Sequence, residues 1–540
     1  MSVFKSKITP SSPSFEPNRK AMLQLVDKLR TIEERSVEAS NARRATFTKR
    51  GQLPPHERMA RVLDPGMPFL RLHTLANYLV EDEDPETSIP GASVLAGIGY
   101  VSGVRCLLWV DDSGIRAGAM TPMTSPLALS ILSIAMRQKL PVLHLVESAG
   151  ADLLKFKVEM WATGGGMFRD LAKLSAMGIP TISVLHGPST AGGAYMPGMS
   201  DYVIGVKSNG LAALAGAALV KAATGEAAND RELGGSEMHA SVSGLVEYLA
   251  EDDAHALGVA RDVMARLGWN EGQAPSSRAD YDAPLYDADE LAGVVPVDYR
   301  TPYDMRELVS RIVDGSSFEE FKARYGPGTV CLQTSIMGHP CGIIGNNASI
   351  DPNGATKAAQ FLQLCDKADI PVIFLNNTTG YIVGTESEQA GMIKHGSKMI
   401  QAVSNISVPK ISLYVGASFG AGNYGMCGYA YEPDFLFAWP NAATNVMGGE
   451  SAAKTMRHVA EATAKRKGNP IVPEELDKRE KAIEAIFKKQ ENAFYTSGRL
   501  LDHGVIDPRD TRKVLGFCLA TCTEGRTRQL KPNSFGIARM

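Results

Sequence analysis

Two short glycine-rich turns are the parts of this sequence best suited to chemistry. The later turn is Gly420, Ala421 and Gly422, which follows an apolar run typical of a buried β-strand. Residues this small leave backbone N–H groups uncovered, and a helix that starts after the turn adds unpaired donors and the positive end of its dipole. Such a turn suits a negatively charged oxygen that develops during a reaction. The alternative is a tight turn that needs small residues only for packing.

A copy of this turn occurs earlier in the chain. The stretch 180–197 aligns with the stretch that begins at residue 409, at a constant spacing of 229 residues. The matched pairs are Pro180/Pro409, Ile182/Ile411, Ser183/Ser412, Gly187/Gly416, Ser189/Ser418, Gly193/Gly422 and Tyr195/Tyr424. Just upstream, LPVLHLVESAG and IPVIFLNNTTG align at a spacing of 230. A spacing held over such a length predicts two homologous domains rather than an array of short repeats.

Each predicted half must place its turn at the end of a strand. An earlier strand ends in two polar residues in both halves, as WVDD and as IGNN, and a helix follows over 124–139 or 356–367. A second strand with a polar, glycine-containing end then leads into the turn region. The sequence therefore predicts an α/β protein with two tandem halves of the same construction.

The ends of the two halves can also be placed. Apolar residues at helical spacing indicate an amphipathic N-terminal helix, with Met22, Val26, Leu29 and Ile32 on one face. The stretch 270–290 is polar and rich in turn residues, which is typical of a linker. We therefore predict an N-terminal domain over 1–275, which includes a helical arm, and a C-terminal domain over 290–540.

Composition excludes several classes of protein. The 540 residues suffice for two or three domains, and a net charge of −3 leaves no strong positive field for nucleic acid or a membrane surface. No apolar run is long enough to span a membrane, and the N-terminus lacks the apolar core of a secretion signal, so we expect a cytoplasmic protein. The seven cysteines have neither the pairing of a disulfide framework nor the spacing of a zinc ribbon. We expect them to be reduced thiols in the core, with no metal site.

No familiar set of catalytic side chains is present. The sequence lacks HExxH, GxSxG, GxxxxGK(S/T) and a Rossmann GxGxxG after a strand. His186 and His395 are the histidines to weigh, and the simpler interpretation of each is a residue hydrogen-bonded in place. Carboxylates near the turns are more often caps or ion pairs than bases, and these are Glu147, Asp201 and Glu450. Two backbone pockets without a side-chain base imply that the reactants supply their own base.

The sequence resembles the carboxyltransferase (β) subunits of biotin-dependent acyl-CoA carboxylases, in the branch of the methylcrotonyl-CoA and geranyl-CoA carboxylases. The resemblance runs nearly end to end through TKRGQLPPHERMARVLDPGMPFL, AGGAYMPGMSD, LVKAATGE, NNTTGYIVGTESEQAGMIKHGSKMIQAVS, GASFGAGNYGMCG, FAWPNAATNVMGGESAA and HGVIDPRDTRKVLG. The propionyl-type branch resembles TPGF and GGAYDVM where this chain has TTGY and GAGNYGM.

The resemblance implies a duplicated crotonase-like (ClpP/crotonase) α/β fold, with acyl-CoA bound by the N-terminal domain and biotin by the C-terminal domain of a neighbouring subunit. Gly192 and Gly193 match the residues whose amides hold the thioester enolate oxygen, and Ala421 and Gly422 match those that hold the biotin ureido oxygen. The same resemblance assigns Ser148, Ala149, Gly150, Ala194 and Tyr195 to substrate binding, and Thr379, Gly380, Tyr381, Gly420 and Asn423 to cofactor binding.

The resemblance also implies a reaction and a partner. Carboxybiotin would release carbon dioxide, the biotin anion would take the acidic proton of the acyl-CoA, and the enolate or dienolate would capture the carbon dioxide. The sequence has no AMKM-like biotinylation site, so biotin would be carried by a biotin carboxylase and carrier (alpha) subunit, the only one to use ATP and bicarbonate. The chain itself would form a homo-oligomer, a trimer of dimers in an α6β6 complex.

The N-terminal half departs from this pattern. It has ESAGADL where relatives resemble DSGGANL, RAGAMTPMTSPLALS in place of GGTYYP and VKKHLR, and GAALVKAATGE in place of GPPLVKAATGE. The exchange of polar and rigid residues for Met, Ala and Leu favours a more apolar acyl pocket, although a different packing of side chains in the protein interior would give the same pattern. The substrate is expected to be 3-methylcrotonyl-CoA-like or another branched, apolar acyl-CoA. A biotin-dependent decarboxylase and a non-catalytic assembly paralogue stay open as alternatives, and the intact TAGGAY argues against the second.

Overall fold

Two mixed β-sheets form the framework of the protein. The computed structural model describes residues 2–152, 157–273, 280–467 and 472–538, and within them each sheet has eight strands. In spatial order, the N-terminal sheet consists of Tyr248–Ala250, Tyr202–Val206, Thr181–Thr190, Val142–Ser148, Val104–Asp111, Val94–Val101 and Leu70–Leu72, with Leu211–Ala213 paired to Thr181–Thr190. The C-terminal sheet consists of Ser2–Val3, Ser317–Glu320, Thr329–Ile336, His339–Asn346, Val372–Thr378, Lys410–Phe419 and Phe435–Ala438, with Ala443–Asn445 paired to Lys410–Phe419.

The two sheets confirm the predicted duplication. Six consecutive strands follow the same order in both, and a short extra strand pairs with the end of the strand before each turn. The parallel strands that lead to the turns even share an irregularity. Their register shifts between Val146 and Ser148 in one sheet and between Asn376 and Thr378 in the other, positions that are 230 residues apart. Register irregularities are characteristic features of a fold. One that occurs at equivalent positions therefore indicates that the two sheets have the same architecture.

Apolar runs explain why these strands lie inside. The side chains of 142–147 and of 411–419 are all buried. Parallel strands show continuous apolar runs because helices cover both faces of the sheet. The helices Thr124–Gln138 and Pro352–Lys367 each pack on their own sheet. The second starts four residues before the prediction because Asp351 caps it and Pro352 fits its first turn.

The remaining helices connect and cover the strands. In the first half of the chain they are Phe15–Asn41, Arg44–Lys49, Pro55–Val62, Val158–Gly164, Gly166–Ala176, Tyr195–Met199, Ala217–Thr224, Asp230–Gly234, Ser236–Met238 and Asp253–Arg266. In the second half they are Leu291–Val294, Met305–Val309, Thr385–Gln389, Met392–Asn405, Gly420–Gly425, Gly449–Lys467, Pro473–Glu491, Ala493–Gly498 and Thr511–Thr527. The predicted N-terminal amphipathic helix is confirmed, with its apolar residues Met22, Val26, Leu29 and Ile32 buried.

By their internal contacts, the described residues divide into two compact units. One unit contains Met1–Leu29, Ser276–Ser497 and Leu501–Cys522, and the other contains Arg30–Pro275, Gly498–Leu500 and Thr523–Met540. The predicted domains over 1–275 and 290–540 stay a prediction, and these units differ from them at both ends of the chain. The predicted linker lies partly outside the described residues, at 274–279.

The N-terminal arm packs with the second half of the chain through specific contacts. The N–H of Lys7 donates to Glu307 Oε1 over 2.7 Å, and Arg311 Nη2 donates to the carbonyl of Ile8 over 2.9 Å. The Phe15 ring fills the space beside Gly293. A Cβ atom added at Gly293 would lie 2.6 Å from Phe15 Cε2. Sequence periodicity shows that such an arm is helical but does not show which sheet it joins.

The structure bears on the expectations for the cysteines and for membrane-spanning helices. All seven cysteines are buried and none forms a disulfide bond, which confirms their prediction as reduced core thiols. Burial raises the pKa of Cys106, Cys331 and Cys365 to about 12, so these thiols are inert at neutral pH. In the part of the chain that the structure describes, no helix combines the length and the apolar composition needed to cross a membrane.

Candidate active site

The N-terminal turn begins directly at the end of the strand Thr181–Thr190. Ala191 has a left-handed backbone, with φ of 54°, and the short 3-10 helix Ala191–Ala194 follows. The first N–H groups of a helix lack partners within it, so this turn presents unpaired donors. A side chain at Gly193 would lie 2.9 Å from Ser189 Oγ, and one at Gly192 would lie 3.7 Å from the Phe168 ring. Gly192 is exposed and Gly193 is half-buried, so the turn leaves its backbone accessible, as predicted.

The C-terminal turn repeats this arrangement. Gly420 occupies the position of Ala191 and has the same φ of 54°, and the helix Gly420–Gly425 starts there. A side chain at Gly422 would lie 2.7 Å from the Cα atom of Gly380. Real Cβ atoms do not approach backbone this closely, so only glycine fits at this position. The matching conformations show that the two turns are equivalent in backbone geometry and not only in sequence.

Each turn lies beside the end of a neighbouring parallel strand. Gly150 and Gly380 follow those strands, with φ of 79° and 122°. The N–H of Gly150 donates to Ser148 Oγ over 3.1 Å, and the N–H of Gly380 donates to Thr378 Oγ1 over 3.2 Å. Ser148 is paired in register with Ser189, just before the N-terminal turn. The structure thus brings the predicted residues Ser148 and Gly150 to the turn at Gly193.

The other predicted substrate-binding residues are placed less uniformly. Tyr195 is 48 % exposed and meets the Phe168 ring edge-on, with ring centroids 5.8 Å apart. Ala194 packs against the buried cluster that contains Val146. Ala149 is exposed, and its N–H donates to the carbonyl of Ala117 over 3.1 Å. Tyr195 is thus available to a ligand, while Ala194 is part of the packing beneath the turn.

Among the predicted cofactor-binding residues, two side chains are directed into the protein. Asn423 Nδ2 donates to Ser418 Oγ over 2.8 Å and to Tyr414 Oη over 3.1 Å. Tyr381 Oη donates to the carbonyl of Gly396 over 3.3 Å. Thr379 is exposed and bonds to Ser349 through their hydroxyl oxygens, 2.8 Å apart. At this turn the structure brings together the backbones of Gly380, Gly420 and Gly422. The roles in cofactor binding of these glycines and of Thr379, Tyr381 and Asn423 stay predictions.

A cavity of about 820 Å³ opens beside the N-terminal turn. Its wall includes the predicted residues Ser148, Gly150, Gly192, Gly193 and Tyr195. Most of the remaining wall is apolar, with Met120, Met160, Trp161, Met167, Phe168 and Met196. A concave, mostly apolar cavity with a few polar groups is the usual form of a small-molecule site. The apolar character agrees with the acyl pocket that the sequence favours.

The cavity also contains a polar cluster that the sequence interpretation missed. Trp109 and His144 stack, with ring centroids 3.9 Å apart. Trp109 Nε1 and His144 Nε2 lie 3.1 Å and 3.2 Å from Asp111 Oδ1, and the N–H of Glu147 donates to Asp111 Oδ2. Asp111 could have been predicted as a site residue, because it is one of the two polar residues that end its strand. His144 was not, because it lies inside an apolar run.

The charged groups near the turns have structural partners. Glu147 accepts from Arg58 over 2.6 Å, and His186 Nδ1 lies 2.7 Å from Asp253 Oδ1. Burial and the positive charge of Arg58 lower the pKa of His186. Asp201 accepts the N–H of Thr181 over 2.8 Å. These contacts confirm the interpretation of His186, Glu147 and Asp201 as residues held in place.

His395 and Glu450 also have partners. His395 lies on the helix Met392–Asn405, with Nδ1 2.8 Å from Thr356 Oγ1. Partial burial and the charges of Lys398 and Lys394 lower its pKa. Glu450 is exposed and pairs with Lys454 over 2.5 Å. The hydrogen-bonded helix residue predicted for His395 is confirmed.

Several known proteins are similar to this chain in sequence and in fold. Residues 47–535 match the carboxyl transferase domain family. The chain is 47 % identical over 493 residues to a probable biotin-dependent acyl-coenzyme A carboxylase beta2 subunit of Mycobacterium tuberculosis, covering 91 % of each chain. It is 40 % identical to the mitochondrial methylcrotonoyl-CoA carboxylase beta chain of Arabidopsis thaliana, over 98 % of this chain and 90 % of that one.

A solved structure matches the whole chain. The crystal structure of the beta subunit of P. aeruginosa geranyl-CoA carboxylase superposes with a TM-score of 0.93 and 46 % identity, covering 100 % of both chains. This match confirms the duplicated crotonase-like α/β fold. Together with the family match and the relatives, it shows that the chain belongs to the carboxyltransferase (beta) subunits of biotin-dependent acyl-CoA carboxylases, in the methylcrotonyl-CoA and geranyl-CoA carboxylase branch.

Proposed function

We propose that this chain transfers a carboxyl group from carboxybiotin to a branched or otherwise apolar acyl-CoA, and that its two glycine-rich turns hold the two oxyanions of the reaction. The observation that carries this proposal is the cavity of about 820 Å³ whose wall contains Gly192 and Gly193. An acyl group in this cavity would have its thioester oxygen at the backbone donors of the turn. Preorganised donors of this kind stabilise an enolate because they need no reorganisation as charge develops.

The cavity supports an acyl group larger than a minimal one. Its volume lies in the upper part of the range of about 300–1,000 Å³ that is typical of ligand sites. The sulfur atoms and rings of Met160, Met167 and Phe168 offer an adaptable apolar wall. Relatives of this chain are named for methylcrotonoyl-CoA and geranyl-CoA, which both have branched, unsaturated acyl groups. We therefore propose 3-methylcrotonyl-CoA or a longer branched acyl-CoA as the substrate.

The C-terminal turn would hold biotin. When bound as carboxybiotin, the cofactor supplies the carbon dioxide and the base of the reaction. The amides of Ala421 and Gly422 would hold and orient the ureido oxygen, as the matching amides do for the thioester. The likeness of the two turns supports this role, because Gly420 and the equivalent Ala191 have the same left-handed backbone at the start of the turn.

We also propose a partner and an assembly. The biotin would be attached to an alpha subunit with biotin carboxylase activity, which would use ATP and bicarbonate, and this chain would form a trimer of dimers. The proposal is supported by the names of its relatives, which are beta subunits or beta chains. Light scattering of the purified chain tests the assembly. A monomer that still transfers carboxyl groups would contradict it.

The function is tested by transfer to free biotin. The chain is incubated with the carboxylated forms of 3-methylcrotonyl-CoA and geranyl-CoA, and the loss of their carboxyl group is measured with and without biotin. Biotin-dependent loss is expected for at least one of them. If the chain binds both acyl-CoA acids in calorimetry but transfers from neither, it is an assembly paralogue. Purification of the native complex then fixes direction, because a partner that consumes ATP with bicarbonate supports a carboxylase and one that does not supports a decarboxylase.

A further inference from the structure

Ser189 is a buried hydroxyl without a partner. It is the second-last residue of the strand Thr181–Thr190 and has no solvent-exposed surface. Among the described residues, its Oγ atom has no hydrogen-bond partner. Ser189 lines the cavity, and its Oγ lies 2.9 Å from where a side chain at Gly193 would begin. Because buried polar groups are nearly always hydrogen-bonded, this hydroxyl requires an explanation.

The second half of the chain shows what a satisfied hydroxyl looks like at the same position. Ser418, 229 residues later, is equally buried. Its Oγ donates to Asn376 Oδ1 over 2.9 Å and accepts from Asn423 Nδ2 over 2.8 Å. These two amides use the single proton of the hydroxyl and one of its two acceptor sites.

The first half has neither of these two partners. The residue equivalent to Asn376 is Val146, and the residue equivalent to Asn423 is Ala194. Both are apolar, and they pack together in one buried cluster under the turn. The Ser189 hydroxyl therefore lies in apolar surroundings beside the cavity. The comparison within one chain shows that the fold can satisfy this hydroxyl and that the first half does not.

We propose that the Ser189 hydroxyl donates a hydrogen bond to the thioester oxygen of the bound acyl-CoA, as a side-chain donor beside the amides of Gly192 and Gly193. This inference rests on the proposed function, because it places the acyl group in the cavity. The proton stays on Ser189 throughout, and the hydrogen bond strengthens as the thioester oxygen gains charge in the enolate. The equivalent Ser418 cannot act in this way because its proton is already donated to Asn376.

The test compares Ser189→Ala with its matched control Ser418→Ala. Loss of one donor to an oxyanion lowers the rate by roughly 10²- to 10³-fold, so kcat of Ser189→Ala should fall by about that factor while the Kd of the acyl-CoA changes little. Its melting temperature should not fall, because no hydrogen bond within the protein is lost. Ser418→Ala should melt at a lower temperature, because it leaves Asn376 and Asn423 without their shared partner. Ser189→Cys keeps a weak donor and should have an intermediate kcat.

The proposal is overturned if Ser189→Ala has the kcat of the wild type, or if it lowers the melting temperature as much as Ser418→Ala does. A binding measurement keeps it testable without turnover. The probe is a nitronate analogue of the acyl-CoA, which carries a negatively charged oxygen in the place of the enolate oxygen. Ser189→Ala should bind this analogue at least tenfold more weakly than the wild type, and equal binding would overturn the proposal. Wild-type protein that binds the analogue but transfers no carboxyl group would instead overturn the proposed function.

Discussion

Replacing Gly422 by valine separates the biotin half of the site from the acyl half. The first added carbon would lie 2.7 Å from the Cα atom of Gly380 and 3.1 Å from its carbonyl carbon. Both are backbone atoms and cannot rotate away, so the two segments must move apart. The displacement would rotate the N–H groups of the turn away from the position of the ureido oxygen.

The expected magnitude follows from the donors that are displaced. Loss of one oxyanion donor costs roughly 10²- to 10³-fold in rate, or about 2.7–4 kcal/mol of transition-state stabilisation. Gly422→Val should therefore lose at least that factor in transfer to biotin while binding acyl-CoA in calorimetry like the wild type. The comparison variant Gly193→Val would meet Ser189 Oγ at 2.9 Å in the other turn. It should lose acyl-CoA chemistry instead.

Gly198→Ala serves as the control for a substitution near a turn. A side chain there would meet no atom within 4 Å, so its activity should match that of the wild type, and its free energy of unfolding should not fall, because alanine restricts the unfolded chain more than glycine does. Normal transfer by Gly422→Val would refute the role of this turn. Equal loss of acyl-CoA binding in both valine variants would show that the two turns do not have separate ligands.

Three further predictions concern single residues. His395→Ala should keep most transfer activity, because its Nδ1 is already bonded to Thr356; loss of turnover with both ligand affinities intact would require a histidine base. Ala191→Gly should raise the free energy of unfolding, measured in urea, by about 0.5–1 kcal/mol. A left-handed backbone costs a non-glycine residue about 1–2 kcal/mol, and the greater entropy of glycine in the unfolded chain offsets part of the gain. Burial raises the pKa of Asp502 to about 7 despite hydrogen bonds from Ser497 and the N–H of Gly504. The folded state then binds more protons than the unfolded state between about pH 4 and 7, so stability should fall as pH rises through this window, and Asp502→Asn should flatten the profile in pH-dependent denaturation.

The repeated turns could be predicted from sequence because their chemistry is local. Glycine and alanine at 191–193 and 420–422 follow apolar runs, and the constant spacing identifies them as copies. The left-handed backbone of Gly420 is also expected from its residue type, whereas that of Ala191 is not, since alanine disfavours it. Only the copy reveals it, because equivalent positions in a duplicated fold share backbone geometry.

The rest of the candidate site depends on contacts between strands that sequence spacing does not encode. His144 and Trp109 meet because two parallel strands pair them directly, and nothing in either apolar run marks these residues. The family resemblance assigns Asn423 to cofactor binding, which stays a prediction, and only the structure shows that its amide is bonded beneath the turn to Ser418 and Tyr414. A motif shows which residues lie together but not which of their side chains point towards a ligand.

The packing of the N-terminal arm affects how the chain folds during its synthesis. The N–H of Lys7 and its acceptor Glu307 are separated by 300 residues. At a translation rate of about 5–20 residues per second, the arm leaves the ribosome roughly 15–60 s before its partners exist. During that time Met22, Val26 and Leu29 have no native surface on which to bury their side chains. Until the second half is made, the apolar face of this helix stays exposed in the nascent chain, and exposed apolar surface of this kind favours aggregation.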